Sequence, residues 1–189
     1  MKEDQMNKIQ EEEKIPGRAA FDWAEALVIA LAVVILIFVF GVRLIGVSGS
    51  SMFPTLENGD KILVSHVMYT PEQGDIVVLT KESFMTEPIV KRVIATGGDT
   101  IDLDFENGIV YVNGEALQED YINEVMTYEC AGDMTYPQTV PEGCIFVMGD
   151  NRNGSSDSRV STLGMVDTRY ILGKVITRVL PIRNFGSVY

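Results

Sequence analysis

A chain of 189 residues has room for one membrane anchor and one domain of ordinary size, but not for two large domains. With 46% hydrophobic and 22% charged residues it lies outside the composition of disordered chains. Its net charge of −12, from 15 basic and 27 acidic side chains, argues against a nucleic-acid partner, because such proteins gain affinity by neutralising phosphates with Lys and Arg.

Residues 1–23, which include Lys2, Lys8, Lys14, Arg18 and the acidic run Glu11–Glu13, read as a solvated, mostly disordered tail. From Ala26 to Val42 no charge occurs, and Arg43 is the only one before Val47. A helix over 24–47 would match a bilayer core of about 30 Å, with Arg43 snorkelling near its end. A cleaved signal peptide fits less well, since the run exceeds a usual apolar region and no A-x-A site follows it. A buried core helix would carry a polar face over this length. The four basic residues before the span, against Arg43 and Lys61 soon after it, place the N-terminus in the cytoplasm and the rest outside.

Residues 48–189 read as one extracytoplasmic, mostly β domain. Short β-branched runs recur between turn signals at Ile62–Val64, Ile76–Leu79, Ile89–Ala95, Thr100–Leu103, Ile109–Val112, Cys144–Met148 and Ile171–Leu180. Asn107-Gly108 and Asn113-Gly114 supply the positive φ angles of hairpin turns. Residues 97–143 form a smaller inserted β and loop-rich subregion, within which Glu115–Pro141 is polar and irregular. The two cysteines, Cys130 and Cys144, are too few for a four-cysteine zinc site, and no metal or other cofactor is expected. On the oxidising side of a membrane a bridge between them is as compatible with the sequence as its absence.

Three polar clusters could carry chemistry. Ser48-Gly49-Ser50-Ser51-Met52-Phe53-Pro54-Thr55 follows the span. It suits a linker, but Pro54 also rigidifies a turn that could present the hydroxyl and N–H of Ser51. In Ile89–Ala95, period-two alternation puts Lys91 on a face with Ile89, Val93 and Ala95. Burial there would lower its pKa and free a neutral amine, whereas an edge strand would instead turn the same lysine to solvent. The third cluster runs from Met148 to Arg159 after an apolar strand. It reads as a polar turn or a site, and lacks the ligand spacing of a calcium loop.

Together, Ser51-Met52-x-Pro54-Thr55, Lys91-Arg92 and Gly149-Asp150-Asn151-Arg152-x-x-Ser155-x-Asp157-Ser158-Arg159 closely resemble the bacterial type I signal peptidases, as does the intermediate strand Gly74-Asp75-Ile76-Val77-Val78. The resemblance runs from the span to about Gly173-Lys174. It implies a membrane-anchored signal-peptidase-like β domain that removes signal peptides after Ala-x-Ala sites through a Ser51 nucleophile, a Lys91 general base and an acyl-enzyme. It further implies that Ser155 hydrogen-bonds the lysine amine, that Asp157 and Arg159 form a supporting ion pair, and that Asp150 orients Arg92. On the same resemblance, the Ser51 backbone N–H is one expected oxyanion donor. The second falls in the region of Gly49, where some members carry a serine, and stays open. Shallow apolar pockets for the two alanines would draw on Val47, Met52, Leu56, Ile62, Val78, Ile89 and Val90, with the preprotein added as a strand at a sheet edge. The implied partners are signal-peptide-bearing preproteins, the lipid bilayer of a bacterial cell membrane and the secretion machinery.

Two other enzyme classes and one non-enzymatic role compete. A Ser-His enzyme would have to use His66, the single histidine, which has no evident acidic partner. A self-cleaving Ser-Lys repressor would carry a DNA-binding domain where this chain has a span. A membrane-anchored adaptor would have no use for Ser51 and Lys91.

Overall fold

The computed structural model describes residues 18–127 and 132–188. The expected character of residues 1–17 and the pairing of Cys130 with Cys144 lie outside them. Two compact units meet at the Gly41–Val42 bond.

The first unit holds one helix, α1 (Arg18–Phe40), long and apolar enough to cross a membrane. At 1.5 Å per residue its 23 residues span roughly 34 Å. The expected helix over 24–47 is corrected at both ends. Its start lies six residues earlier, and residues 42–46 are not helical but form strand β1 (Val42–Gly46). Gly41 offers a cheap exit from the helix, and β-branched Val42 and Ile45 suit an extended chain. Arg43 therefore stands on a strand, opposite Val64.

The second unit is mostly β, in agreement with the sequence. A seven-stranded antiparallel sheet contains β1, β2 (Lys61–Ser65), β3 (Ile76–Lys81), β4 (Met85–Thr96), β9 (Cys144–Met148), β10 (Val166–Asp167) and β11 (Ile171–Leu180), in the order β1-β2-β11-β3-β4-β9-β10. A four-stranded sheet, β7-β6-β5-β8, is built from β5 (Thr100–Asp104), β6 (Ile109–Val112), β7 (Glu115–Ala116) and β8 (Gln138–Thr139). The β6–β7 turn is Asn113-Gly114, both with positive φ, as a tight hairpin requires. All seven β-branched runs lie on strands. The short strands β1, β7, β8 and β10 had no such signal.

Three apolar clusters fill the domain. One, around Val47, Met52, Leu56, Ile62 and Val78, lies beneath the start of the chain's first polar loop. A second, around Val77, Leu79, Val93 and Val147, is shared by β3, β4 and β9, and a third ties the smaller sheet to Phe146 and Met148. Strand β4 carries Lys91 and Arg92. It pairs with β3 from Met85 to Arg92 and with β9 from Arg92 to Thr96, so residues 85–91 have β3 on one side and, among the described residues, no paired strand on the other.

Candidate active site

Ser51 sits in the loop that leaves β1. The loop is anchored from below by Met52 and Leu56, both buried in the core. It is closed by hydrogen bonds from the Phe53 N–H to the Ser50 carbonyl at 3.1 Å and from the Leu56 N–H to the Met52 carbonyl at 2.9 Å. Lys91 reaches it from β4, where Ile89 and Val93 flank it on the same face. At 3% exposure its amine is withdrawn from water, and Nζ lies 2.7 Å from Ser51 Oγ. Burial lowers its pKa from 10.5 to about 8; Arg159 adds to the fall, while Asp157 and Asp150 oppose it. Alternation along β4 does not extend to Ala95. The register with β9 shifts between Val93 and Ala95, which join different core clusters.

The other motif residues hold this pair. Arg92 donates from Nε to Asp150 Oδ1 at 2.8 Å and from Nη2 to Oδ2 at 2.6 Å, and the Thr55 hydroxyl donates to the same carboxylate. One buried acid thus joins the loop of Ser51, the strand of Lys91 and the third motif. Asn151 adds two clamps, donating from its backbone N–H to the Ser51 carbonyl at 3.0 Å and from Nδ2 to the Ser50 carbonyl at 3.1 Å. Gly149 has no room for a side chain, because a Cβ would run into the Ser51 carbonyl oxygen and the Ser155 hydroxyl.

Asp157 is fully buried and accepts from the Gly149 N–H at 3.0 Å, Ser155 Oγ at 2.7 Å and Arg159 Nε at 2.8 Å. Burial by itself would raise its pKa. The Arg159 guanidinium and these hydrogen bonds outweigh burial and hold the carboxyl below its usual range. The Ser155 hydroxyl gives its proton to Asp157, and the expected Ser155 bond to the Lys91 amine does not occur among the described residues, where the amine instead meets Ser51 Oγ. A carboxylate two residues away is the stronger acceptor for that proton.

A groove of about 410 Å³ runs beside Ser51, walled by Ile45 and Gly46 of β1, residues 48–51 and residues 87–91 of β4. Of the seven aliphatics expected to wall substrate pockets, Ile89 and Val90 line it. Val47, Met52, Leu56, Ile62 and Val78 do not; they are buried in the core beneath, where aliphatic side chains on inward-facing positions belong. Gly49 lines the groove, but its N–H donates to Asn58 Oδ1 at 3.0 Å and is spent. The Ser51 N–H has no acceptor among the described residues. His66 stands in a separate, larger hollow of about 550 Å³ whose lining has neither serine nor lysine.

Arg152, Glu119 and Tyr121 are further residues beside the site. Arg152 lies inside the third motif, but Glu119 and Tyr121 lie in the irregular stretch after β7, where no periodicity marks them.

The family described as "Signal peptidase, peptidase S26" matches residues 20–180. The chain is 36% identical over 172 residues to the probable signal peptidase I-1 of Synechocystis sp., covering 86% of this chain and 83% of the relative. It is 38% identical over 171 residues to signal peptidase I P of Bacillus subtilis subsp. natto, covering 86% and 90%. The crystal structure of a signal peptidase I from Enterococcus faecalis V583 aligns with a TM-score of 0.48 at 31% identity, over 57% of this chain and 98% of that one. The family match over residues 20–180 and the two relatives, each more than a third identical over more than four-fifths of both lengths, place the chain in the signal peptidase family S26, whose members are serine peptidases.

Proposed function

We propose that this member of the family cuts signal peptides from exported preproteins after Ala-x-Ala, with Ser51 as nucleophile and Lys91 as general base. The observation that carries the proposal is the 2.7 Å separation of Lys91 Nζ and Ser51 Oγ, with the amine buried. A serine hydroxyl attacks a peptide carbonyl only when a neighbouring base takes its proton, and an amine can do so only when neutral. In the proposed cycle Lys91 accepts the Ser51 proton as Oγ attacks, and the oxyanion faces the Ser51 N–H. Lys91 then gives the proton to the departing amine, leaving an acyl-enzyme, and next deprotonates a water that frees Ser51. The substrate lies extended along residues 87–91, where the open edge of β4 supports addition of a strand and Ile89 and Val90 offer apolar contact for small side chains. The span anchors the protein in the bacterial membrane with its N-terminus in the cytoplasm, in keeping with the basic residues before it.

Detergent-solubilised protein incubated with a labelled Ala-x-Ala preprotein should release the mature chain, while Ser51→Ala leaves the preprotein whole. Undiminished cleavage by that variant would remove the nucleophile from the scheme. The pH profile is a second expectation. Since the amine must be neutral and its pKa is about 8, kcat/KM should climb about tenfold per pH unit below 8 and level off above it. A profile flat from pH 6 to 9 would mean that Lys91 is not the base.

A further inference from the structure

The irregular stretch after β7 is laced to the third motif at several points. Arg152, 1% exposed, donates from Nη1 to Glu119 Oε2 at 2.7 Å and from Nη2 to Oε1, and its Nε donates to the Gly149 carbonyl at 3.1 Å. The Tyr121 ring lies 3.9 Å from the Arg92 guanidinium carbon and 5.9 Å from that of Arg152, and its hydroxyl donates to Glu119 Oε1 at 3.1 Å. Burial, with the Glu119 charge, pushes the phenol pKa up, so the ring stays neutral beside its two cations. The Asn123 N–H donates to the Asp150 carbonyl at 3.3 Å.

Two buried guanidiniums thus face two carboxylates, with an aromatic ring beside both. The charge balance is what keeps each pair distinct. If Glu119 is neutralised, Arg152 loses its ion-pair partner and is drawn to the other carboxylate whose charge acts on it, Asp150. That acid already holds Arg92 and Thr55, and it is the joint between the loop of Ser51 and the strand of Lys91. Neither Glu119 nor Tyr121 lines the groove, so neither is placed to grip a peptide.

We propose that Glu119 and Tyr121 are positioning residues for the Ser51–Lys91 pair, acting through Arg152, Arg92 and Asp150. The inference rests on the dyad reading given above. Misplacing reacting groups by about 1 Å costs up to about 100-fold in rate. Glu119→Gln and Tyr121→Leu should therefore lower kcat by about 10- to 100-fold while KM stays within about twofold. Tyr121→Phe, which keeps the ring over Arg92, should recover most of the loss seen with leucine. In an Arg152→Met background, Glu119→Gln should add little, because the cation it compensates is gone.

The steady-state constants should be taken per folded molecule, with the folded fraction read from thermal melts at the assay temperature. Losses explained by the unfolded fraction alone, a rise in KM with kcat unchanged, or full additivity with Arg152→Met would each overturn the positioning role. Ser51→Ala in the same assay separates the two claims. If it still cleaves, the dyad itself fails. If it is inert while Glu119→Gln and Tyr121→Leu keep wild-type kcat, only the positioning role fails.

Discussion

Lys91→Met is expected to abolish cleavage and to make the protein more stable. Removing the base from a nucleophile–base pair costs on the order of 10⁴- to 10⁶-fold in kcat. The stability gain follows from the environment that makes the amine useful. In the unfolded chain Lys91 holds its proton up to about pH 10.5, whereas in the folded protein it releases it at about 8. Below pH 8 the buried ammonium opposes folding by about 3 kcal/mol, and the opposition fades as pH rises from 8 towards 10.5, where the unfolded chain binds more protons. Methionine has similar length and no charge. It forfeits the contact with Ser51 Oγ, worth about 1 kcal/mol, and keeps the rest. A net gain of about 2 kcal/mol at pH 7 would raise Tm by roughly 4 to 8 °C for a domain of this size. Melting curves at pH 7 and pH 9.5 check the sign, since the advantage over wild type should shrink at the higher pH. A variant less stable than wild type at pH 7 would show that the amine is not isolated from water.

Asp157→Ala should be the most destabilising single change in the site. Asp157 and Arg159 are 0% and 1% exposed, and removing the carboxylate takes this ion-pair partner from a buried guanidinium, at a cost of about 3–5 kcal/mol. That is a large fraction of the roughly 5–15 kcal/mol that holds a domain together. The same change frees the Gly149 N–H and the Ser155 hydroxyl. Urea titrations should show the midpoint falling with the slope unchanged. Adding Arg159→Met should restore much of the loss, because the ion pair is then removed whole. Any cleavage that survives Asp157→Ala should have its acid limb below pH 8. Loss of that negative charge disfavours the Lys91 ammonium further. An acid limb moved upward would contradict the electrostatics described here.

The sequence displayed the chemistry more fully than the architecture that holds it. β-branched runs between glycine and asparagine turns marked the long strands, because period-two burial leaves a local trace. Strand β1 left none. Its residues continue the apolar run of α1, and only pairing with β2, some twenty residues on, separates strand from helix. Lys91 could be placed on an apolar face, but its distance from Ser51 depends on how a loop and a strand forty residues apart are brought together. The pocket aliphatics fared worst. Motif position gives a residue type, and Val47, Leu56 and Val78 are of the right type, but only coordinates show which way they point. Thr55 and Asp150 meet across 95 residues, and Glu119 and Arg152 across 33, with nothing periodic to announce either contact.

The open edge of β4 has one more consequence. Glu87 places a charge on that edge and Pro88 lacks an N–H to give to a new neighbour, both features that discourage stray strands from annealing to it. Such an edge gains little from a peptide met by chance in solution. With peptidase and preprotein embedded in the same two-dimensional sheet of lipid, as proposed above, confinement supplies the local concentration that a weak grip lacks. Loose binding then becomes an advantage, since the severed leader can slip away and clear the edge for the next arrival.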